Sequence, residues 1–278
     1  MRSAIVKRLA GIGSILVEKG FRLERTLMLR LLLVFFCYIG SAHAGDNPPA
    51  PGFDAAGSDP EAISLADEVM AAMGGRANWE ATRYVTWRFF GFRLHVWDKW
   101  TGDIRFEQGD LTVLMNIHSR EGRAFAAGVE ISDPDTLAAR LQQGYRAWIN
   151  DSYWLVMPYK LKDTGVTLRY RGPEPTGDGR AAEVLELTFR DVGVTPENKY
   201  AVWIDRESRL VTQWAFYREA ADTEPAFTGP WTNWRRHGSI LLSDGRGERR
   251  HTGVAVFDEL PRSVFTSPAP AALVVPSE

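Results

Sequence analysis

The chain has 278 residues, with 33 Lys and Arg against 35 Asp and Glu, one cysteine and ten tryptophans. A single cysteine excludes an intramolecular disulfide framework and a cysteine-rich metal site. The nearly balanced charge excludes a polybasic nucleic-acid binder, and the length suffices for a domain held by its hydrophobic core alone.

The first predicted element is a secretory signal. Arg22, Arg25 and Arg30 form a positive flank, Leu31 to Ile39 an uninterrupted apolar run, and Ser41-Ala42-His43-Ala44 an A-x-A cleavage pattern before Gly45. The apolar run is about half the roughly 20 residues a bilayer-spanning helix needs. Cleavage near Ala44 and release into the periplasm are therefore expected. Glu18 and Glu24 are unusual in such a flank, and Met28 begins a conventional signal by itself, so residues 1–27 read as an extended or misassigned start. Cleavage removes the only cysteine and leaves 26 basic against 33 acidic residues, a formal charge of −7. Nucleic acid is not an expected partner of that surface.

Residues 45–60, with Pro48, Pro49, Pro51, Gly52, Gly57 and Pro60, read as a disordered tether, and residues 267–278 as a disordered tail. Residues 61–266 contain no linker or repeat and are expected to form one domain. Ser58 or Asp59 can cap a helix in which Ile63, Ala66, Val69, Met70 and Met73 recur at helical spacing, until Gly74-Gly75 ends it. Short strands follow over 84–90, 92–99, 104–107, 111–117 and 123–129, separated by Gly-containing turns. Asp133-Pro134 starts a second helix with Leu137, Leu141, Tyr145, Trp148 and Ile149 on one stripe, ending at Asn150-Asp151. Strands resume over 153–157, 166–171, 183–189, 199–204, 210–217, 239–242 and 254–257, with turns at 205–208 and 243–247.

The pattern predicts a mainly β fold with inserted helices, of the α+β class. Strands joined by tight turns pair antiparallel. Two or three helices cannot cover both faces of so large a sheet, so it should curl into a barrel or half-barrel with the helices on its concave side.

No nucleophile elbow, zinc-protease helix, P-loop or dinucleotide fingerprint occurs. The histidines after the signal, His95, His118, His237 and His251, are far apart in sequence, and none pairs at metal spacing. No catalytic residue, metal or cofactor is assigned. The tryptophans carry more information, because several stand mid-strand beside other large apolar groups, where they pack a core or line a cavity inside the curl. Trp87, Phe89, Trp97, Trp148, Trp154, Met157, Trp203 and Trp214 are the residues expected to line such a cavity. Two other readings compete. His95, Asp98, Lys99 or Lys160 would supply acid–base chemistry in an enzyme using the same cavity, provided two of them converge there. An envelope interaction module would instead present an exposed apolar patch or an uncovered strand edge.

The stretches Asn150-Asp151-Ser152-Tyr153-Trp154-Leu155-Val156-Met157-Pro158-Tyr159-Lys160-Leu161 and Lys199-Tyr200-Ala201-Val202-Trp203-Ile204-Asp205-Arg206-Glu207-Ser208-Arg209-Leu210-Val211 resemble segments of the outer-membrane lipoprotein-sorting (LolA/LolB-like) superfamily. Leu260 to Phe265 is similar to the end of such domains. The resemblance implies a strongly curved antiparallel half-barrel with a helical lid. It also implies a periplasmic carrier that holds a hydrophobic small molecule, lipid or lipoprotein acyl chain; beside it, a monomer without enzymatic activity, in transient contact with membrane or envelope proteins, is expected.

Overall fold

The computed structural model describes residues 47–271 and 273. The signal, its cleavage site near Ala44 and the start over 1–27 lie outside the described residues. Helix α1 (Pro60–Ala72) follows Asp59, and Pro60 occupies its first turn, where a missing N–H is harmless. Its buried face is Ala62, Leu65, Ala66, Val69 and Met70. Gly74 and Gly75 end it in the left-handed region, at φ 112° and 86°. A Cβ on Gly74 would also stand 2.5 Å from the Ser239 carbonyl oxygen, so glycine is required there twice over. A short helix, α2 (Arg76–Ala81), follows and was not among the predicted elements.

Strands β1 (Tyr84–Phe89), β2 (Arg93–Asp98), β3 (Asp103–Gln108), β4 (Leu111–Asn116), β5 (Gly122–Ala126) and β6 (Val129–Glu130) form an antiparallel meander. Helix α3 (Pro134–Val156) and a 3-10 turn (Met157–Lys160) come next. Strands β7 (Val166–Pro173), β8 (Ala182–Phe189), β9 (Lys199–Asp205), β10 (Val211–Tyr217) and β11 (Phe227–Pro230) make a second ladder, in spatial order 11-10-9-8-7. Strands β12 (Thr232–His237), β13 (Ile240–Arg246) and β14 (Arg249–Arg250) make a third, and β15 (Thr252–Phe257) returns to pair with β1.

Single buried residues join the ladders. Trp231 lies between β11 and β12, and His251 between β14 and β15. Their amides reach across to the carbonyls of Thr212 and Asp244, at 2.8 and 2.9 Å. The three-stranded ladder thus bridges the two larger ones, and one chain path turns the corner without a loop. Among the described residues no ladder closes on itself. The result is the expected class, a curled, open antiparallel sheet with inserted helices. One core fills its concave side, where Val69 and Met73 from the first helical segment and Leu155 and Val156 of α3 meet Val85, Leu187, Val202, Val211 and Leu242 from the three ladders.

The stretch expected as a tether is instead a strap along β7. Ala50, Asp54 and Asp59 donate their amides to the carbonyls of Lys162, Val166 and Leu168, at 2.9–3.0 Å. Ser58 Oγ accepts from the Leu168 amide at 2.9 Å, and Asp59 accepts from that of Tyr170 at 2.9 Å. An edge strand presents unpaired groups that invite another chain, and the strap takes them. The expected tail is also docked through 271 and 273. Arg105, fully buried on the convex face, donates to the carbonyls of Val264 (3.1 Å), Ser267 (2.8 Å) and Ala269 (2.7 Å). Ala271 and Leu273 then cover Leu94 and Val96.

Two further corrections concern boundaries. The helix expected to stop at Asn150-Asp151 runs to Val156, so Tyr153–Met157 is helical rather than a strand. Strand β13 runs through Arg246, so the turn expected over 243–247 begins only after it. Strands β11 and β12 were not predicted.

Candidate functional site

Helix α3 begins as its sequence dictates. Asp133 caps it, accepting from the Thr136 amide at 2.9 Å, and Pro134 occupies the first turn. Leu137, Leu141, Tyr145 and Trp148 pack on Ile104, Phe106, Val113 and Met115. Tyr145, Trp148, Ile149, Ser152, Tyr153 and Val156 form one stripe at i, i+3, i+4, i+7, i+8 and i+11. That stripe is one wall of a cleft of about 380 Å³. Val166, Phe189, Tyr200 and the 192–195 loop form the facing wall, with Trp97 and Trp154 also in the lining.

The lining is aromatic and tightly coupled. Trp97 meets Trp148 edge-on at 5.3 Å, and Tyr153 lies 5.2 Å from Tyr200 and 6.2 Å from Phe189. Only two of the lining residues are charged, Lys160 and Asp163, and they pair with each other. Burial pushes the Tyr200 hydroxyl up to about 12. It raises Tyr153 well above the usual phenol range, with Tyr200 and the Asp163 charge adding to the effect. Both phenols are therefore neutral across the physiological range.

A polar seat lies beneath α3. Asp151 is fully buried and accepts from Arg93 Nε (2.7 Å) and Nη2 (2.6 Å), His95 Nε2 (2.7 Å) and Asn150 Nδ2 (2.9 Å). A buried carboxylate is tolerated only when paired in this way. Burial lowers the His95 pKa, against the opposing pull of Asp151, so the imidazole is neutral and donates from Nε2. Three residues on, the Trp154 carbonyl accepts from Arg246 Nη2 and from His251 Nε2 at 3.2 Å. The Arg246 guanidinium lies 3.4 Å from the Trp231 ring and meets the negative end of the α3 dipole. Burial, followed by the Arg246 charge, drives His251 down to about 3.

Of the eight aromatic and methionine positions expected at a cavity, Trp97, Trp148 and Trp154 line this cleft. Trp214 stands one ring behind it, stacked on Tyr200 at 5.5 Å and edge-on to Trp154 at 4.5 Å. Trp87, Phe89 and Met157 belong to the packed core. Trp203 lies on the opposite face of β9, with Ala201 and Tyr217. Sequence reasoning missed Tyr153, Phe189 and Tyr200. Tyr153 was recoverable by extending the 145/148/149 stripe another turn, but Asn150-Asp151 reads as a helix stop.

The four acid–base candidates do not converge. His95 is sealed on Asp151, and Asp98 is bound by Arg83 at 2.8 Å beside a polar groove on the outer side of β1–β5. Lys99 caps α2 through the carbonyls of Trp79 and Thr82 and lies 3.7 Å from the Trp79 ring, where burial lowers it to about 8. Lys160 alone of the four lines the cleft. No group of three or more His, Cys, Asp or Glu among the described residues is placed to hold a metal ion. No helix among them is long and apolar enough to cross a membrane.

No protein-family model and no curated protein matches the chain. Solved structures similar to it include a DUF1329 family protein from Desulfovibrio piger, at 13% identity and TM-score 0.41, covering 75% of this chain and 98% of that one. A putative outer membrane lipoprotein-sorting protein domain from Vibrio parahaemolyticus is 11% identical, TM-score 0.36, covering 74% and 96%. A LolA superfamily protein from Nitrosomonas europaea is 10% identical, TM-score 0.34, covering 74% and 97%.

Proposed function

We propose that the exported chain is a periplasmic binding protein, a carrier rather than an enzyme, that holds the hydrocarbon part of a lipid or lipoprotein acyl chain in the cleft between α3 and β7–β9. The observation that carries this reading is the lining: an aromatic and aliphatic surface of about 380 Å³ whose only two charges cancel. That volume falls at the lower end of small-molecule sites, roughly 300–1,000 Å³, so one chain enters rather than several. Each methylene removed from water contributes about 0.8 kcal/mol, and association costs roughly 4 kcal/mol or more. An eight-carbon guest is therefore held weakly, and affinity climbs about fourfold per added carbon until the cleft is full.

The test uses residues 45–278, since the described residues form one compact unit. Native mass spectrometry of the purified protein reads co-purifying lipid, and titration with saturated fatty acyl probes of eight to sixteen carbons reads the increment per methylene. A steady gain that stops at a defined length, lost in Trp148→Asp, is the expected result. Absence of both bound lipid and any chain-length dependence overturns the proposal.

A further inference from the structure

The tyrosine hydroxyls of this protein are treated unequally. Tyr159 OH donates within reach of two carbonyls, Leu241 at 2.7 Å and Met73 at 3.0 Å, and Tyr170 OH bonds Glu183. Among the described tyrosine hydroxyls, Tyr153 OH is the one that is buried without a protein partner. It belongs to a cleft-lining residue, on the same helical stripe as Trp148, whose indole Nε1 is likewise buried and unpaired. Trp97, in edge contact with Trp148, leaves a third unpaired donor in the same lining. A wall built only to hold hydrocarbon has no use for a phenol where phenylalanine would fit, and an unpaired buried donor is a standing penalty.

The surrounding charges narrow what the guest brings. Asp163 lines the same cleft as Tyr153, and its charge adds to the rise in the Tyr153 pKa that burial and Tyr200 produce. Lys160, the only cation in the lining, is already engaged by Asp163. An anionic head entering here would meet a carboxylate and find no free cation, and its burial would be costly. A neutral carbonyl oxygen has neither problem. We infer that Tyr153 is a specificity-determining residue that donates to an uncharged carbonyl oxygen, of ester or amide type, near the polar end of the guest, and that the cleft discriminates against the free carboxylate of the same chain. Trp148 Nε1 is the second donor within the same stripe. This rests on the binding function proposed above.

The experiment compares decane, methyl decanoate and decanoate at pH 7.5 as displacers of a solvatochromic dye from residues 45–278, in the wild type and in Tyr153→Phe. Methyl decanoate is expected to displace the dye at least tenfold better than decanoate. Tyr153→Phe should lose about tenfold on the ester while leaving decane unchanged, as loss of one hydrogen bond requires. Guest-free Tyr153→Phe should keep or raise its thermal midpoint, since it removes an unpaired hydroxyl; a lowered midpoint means that the hydroxyl has a structural partner and overturns the inference. Equal affinity for ester and carboxylate, or an ester affinity untouched by the substitution, also overturns it while leaving hydrophobic binding intact. Failure of all three probes, decane included, overturns the binding function itself and the inference with it.

Discussion

His251 makes the stability of this fold depend on pH in a window where few other groups titrate. Its ring is fully buried, stacked on Phe90 at 5.1 Å and 5.3 Å from Phe89, with Arg246 beside it at the Trp154 carbonyl. Desolvation, followed by the Arg246 charge, holds its pKa near 3 in the folded chain, against about 6.5 when unfolded. Between those values the unfolded chain carries the proton and the folded chain does not. Stability is therefore fully present above pH 6.5 and falls as pH drops, until about pH 3. With those two values, the loss from pH 7.5 to pH 5 is about 2 kcal/mol, or a fall of several degrees in Tm for a chain of this size. Asp98 and Asp205, whose pKa values lie below the ordinary carboxylate value, lose their contribution only below about pH 4. His95, whose pKa burial also lowers, acts in the same direction, so the His251 share is the difference between the wild type and a variant lacking that ring. Urea unfolding at pH 7.5, 6 and 5 measures the slope in the wild type and in His251→Phe, which fills similar volume with a ring that cannot titrate. The variant should be flatter by about 2 kcal/mol across the range. Identical pH dependence in the two proteins would refute the assignment of the slope to His251.

Asp151→Ala leaves Arg93 and His95 without their shared acceptor and should cost about 3–5 kcal/mol, read by the same urea unfolding at pH 7.5. The double substitution Arg93→Leu with Asp151→Leu should be less destabilised than Asp151→Ala, because it strands no charge. Ser58→Ala removes the acceptor of the buried Leu168 amide and should cost about 1–3 kcal/mol. It should also release the strap from β7, read as faster amide exchange at Leu168 and Tyr170 together.

The elements whose signals are local were legible. Pro60, the apolar spacing to Met73 and Gly74-Gly75 define α1 at both ends, and the meander from Tyr84 to Asn116 follows turn residues and alternation. The misses share a cause, which is tertiary contact overriding local preference. Asn150-Asp151 has stop-like chemistry, but the Asp151 carboxylate is taken up by β2, so the helix continues through residues whose composition suits a strand. The proline-rich 47–59 stretch lacks periodicity because it binds through its backbone, and no side-chain pattern encodes that. The tail from Ser267 is ordered by one arginine 162 residues earlier in sequence. At the cleft, tryptophan counting found three of the lining residues. The tyrosines escaped because facing walls come from segments that only the fold brings together.

The polar seat and the apolar cleft are two consequences of one helix placement. Asp151 and the Trp154 carbonyl are held by groups from β2, β13 and the His251 corner, while Ile149, Ser152 and Tyr153, between or beside them, line the cleft. A purely apolar contact would tolerate rotation or a slide of α3 by a turn at small cost, since Leu, Trp and Tyr repack over one another. A carboxylate that must meet Arg93 and His95 tolerates neither, because any slip strands a buried charge. The seat therefore fixes the rotation of the helix, and through it the residues that form the cleft wall. The same geometry separates a fixed part of α3 from a freer one. Residues from Asp151 onward are largely buried and pinned, whereas much of the first half, from Pro134 to Gln142, is exposed and held by Leu137 and Leu141.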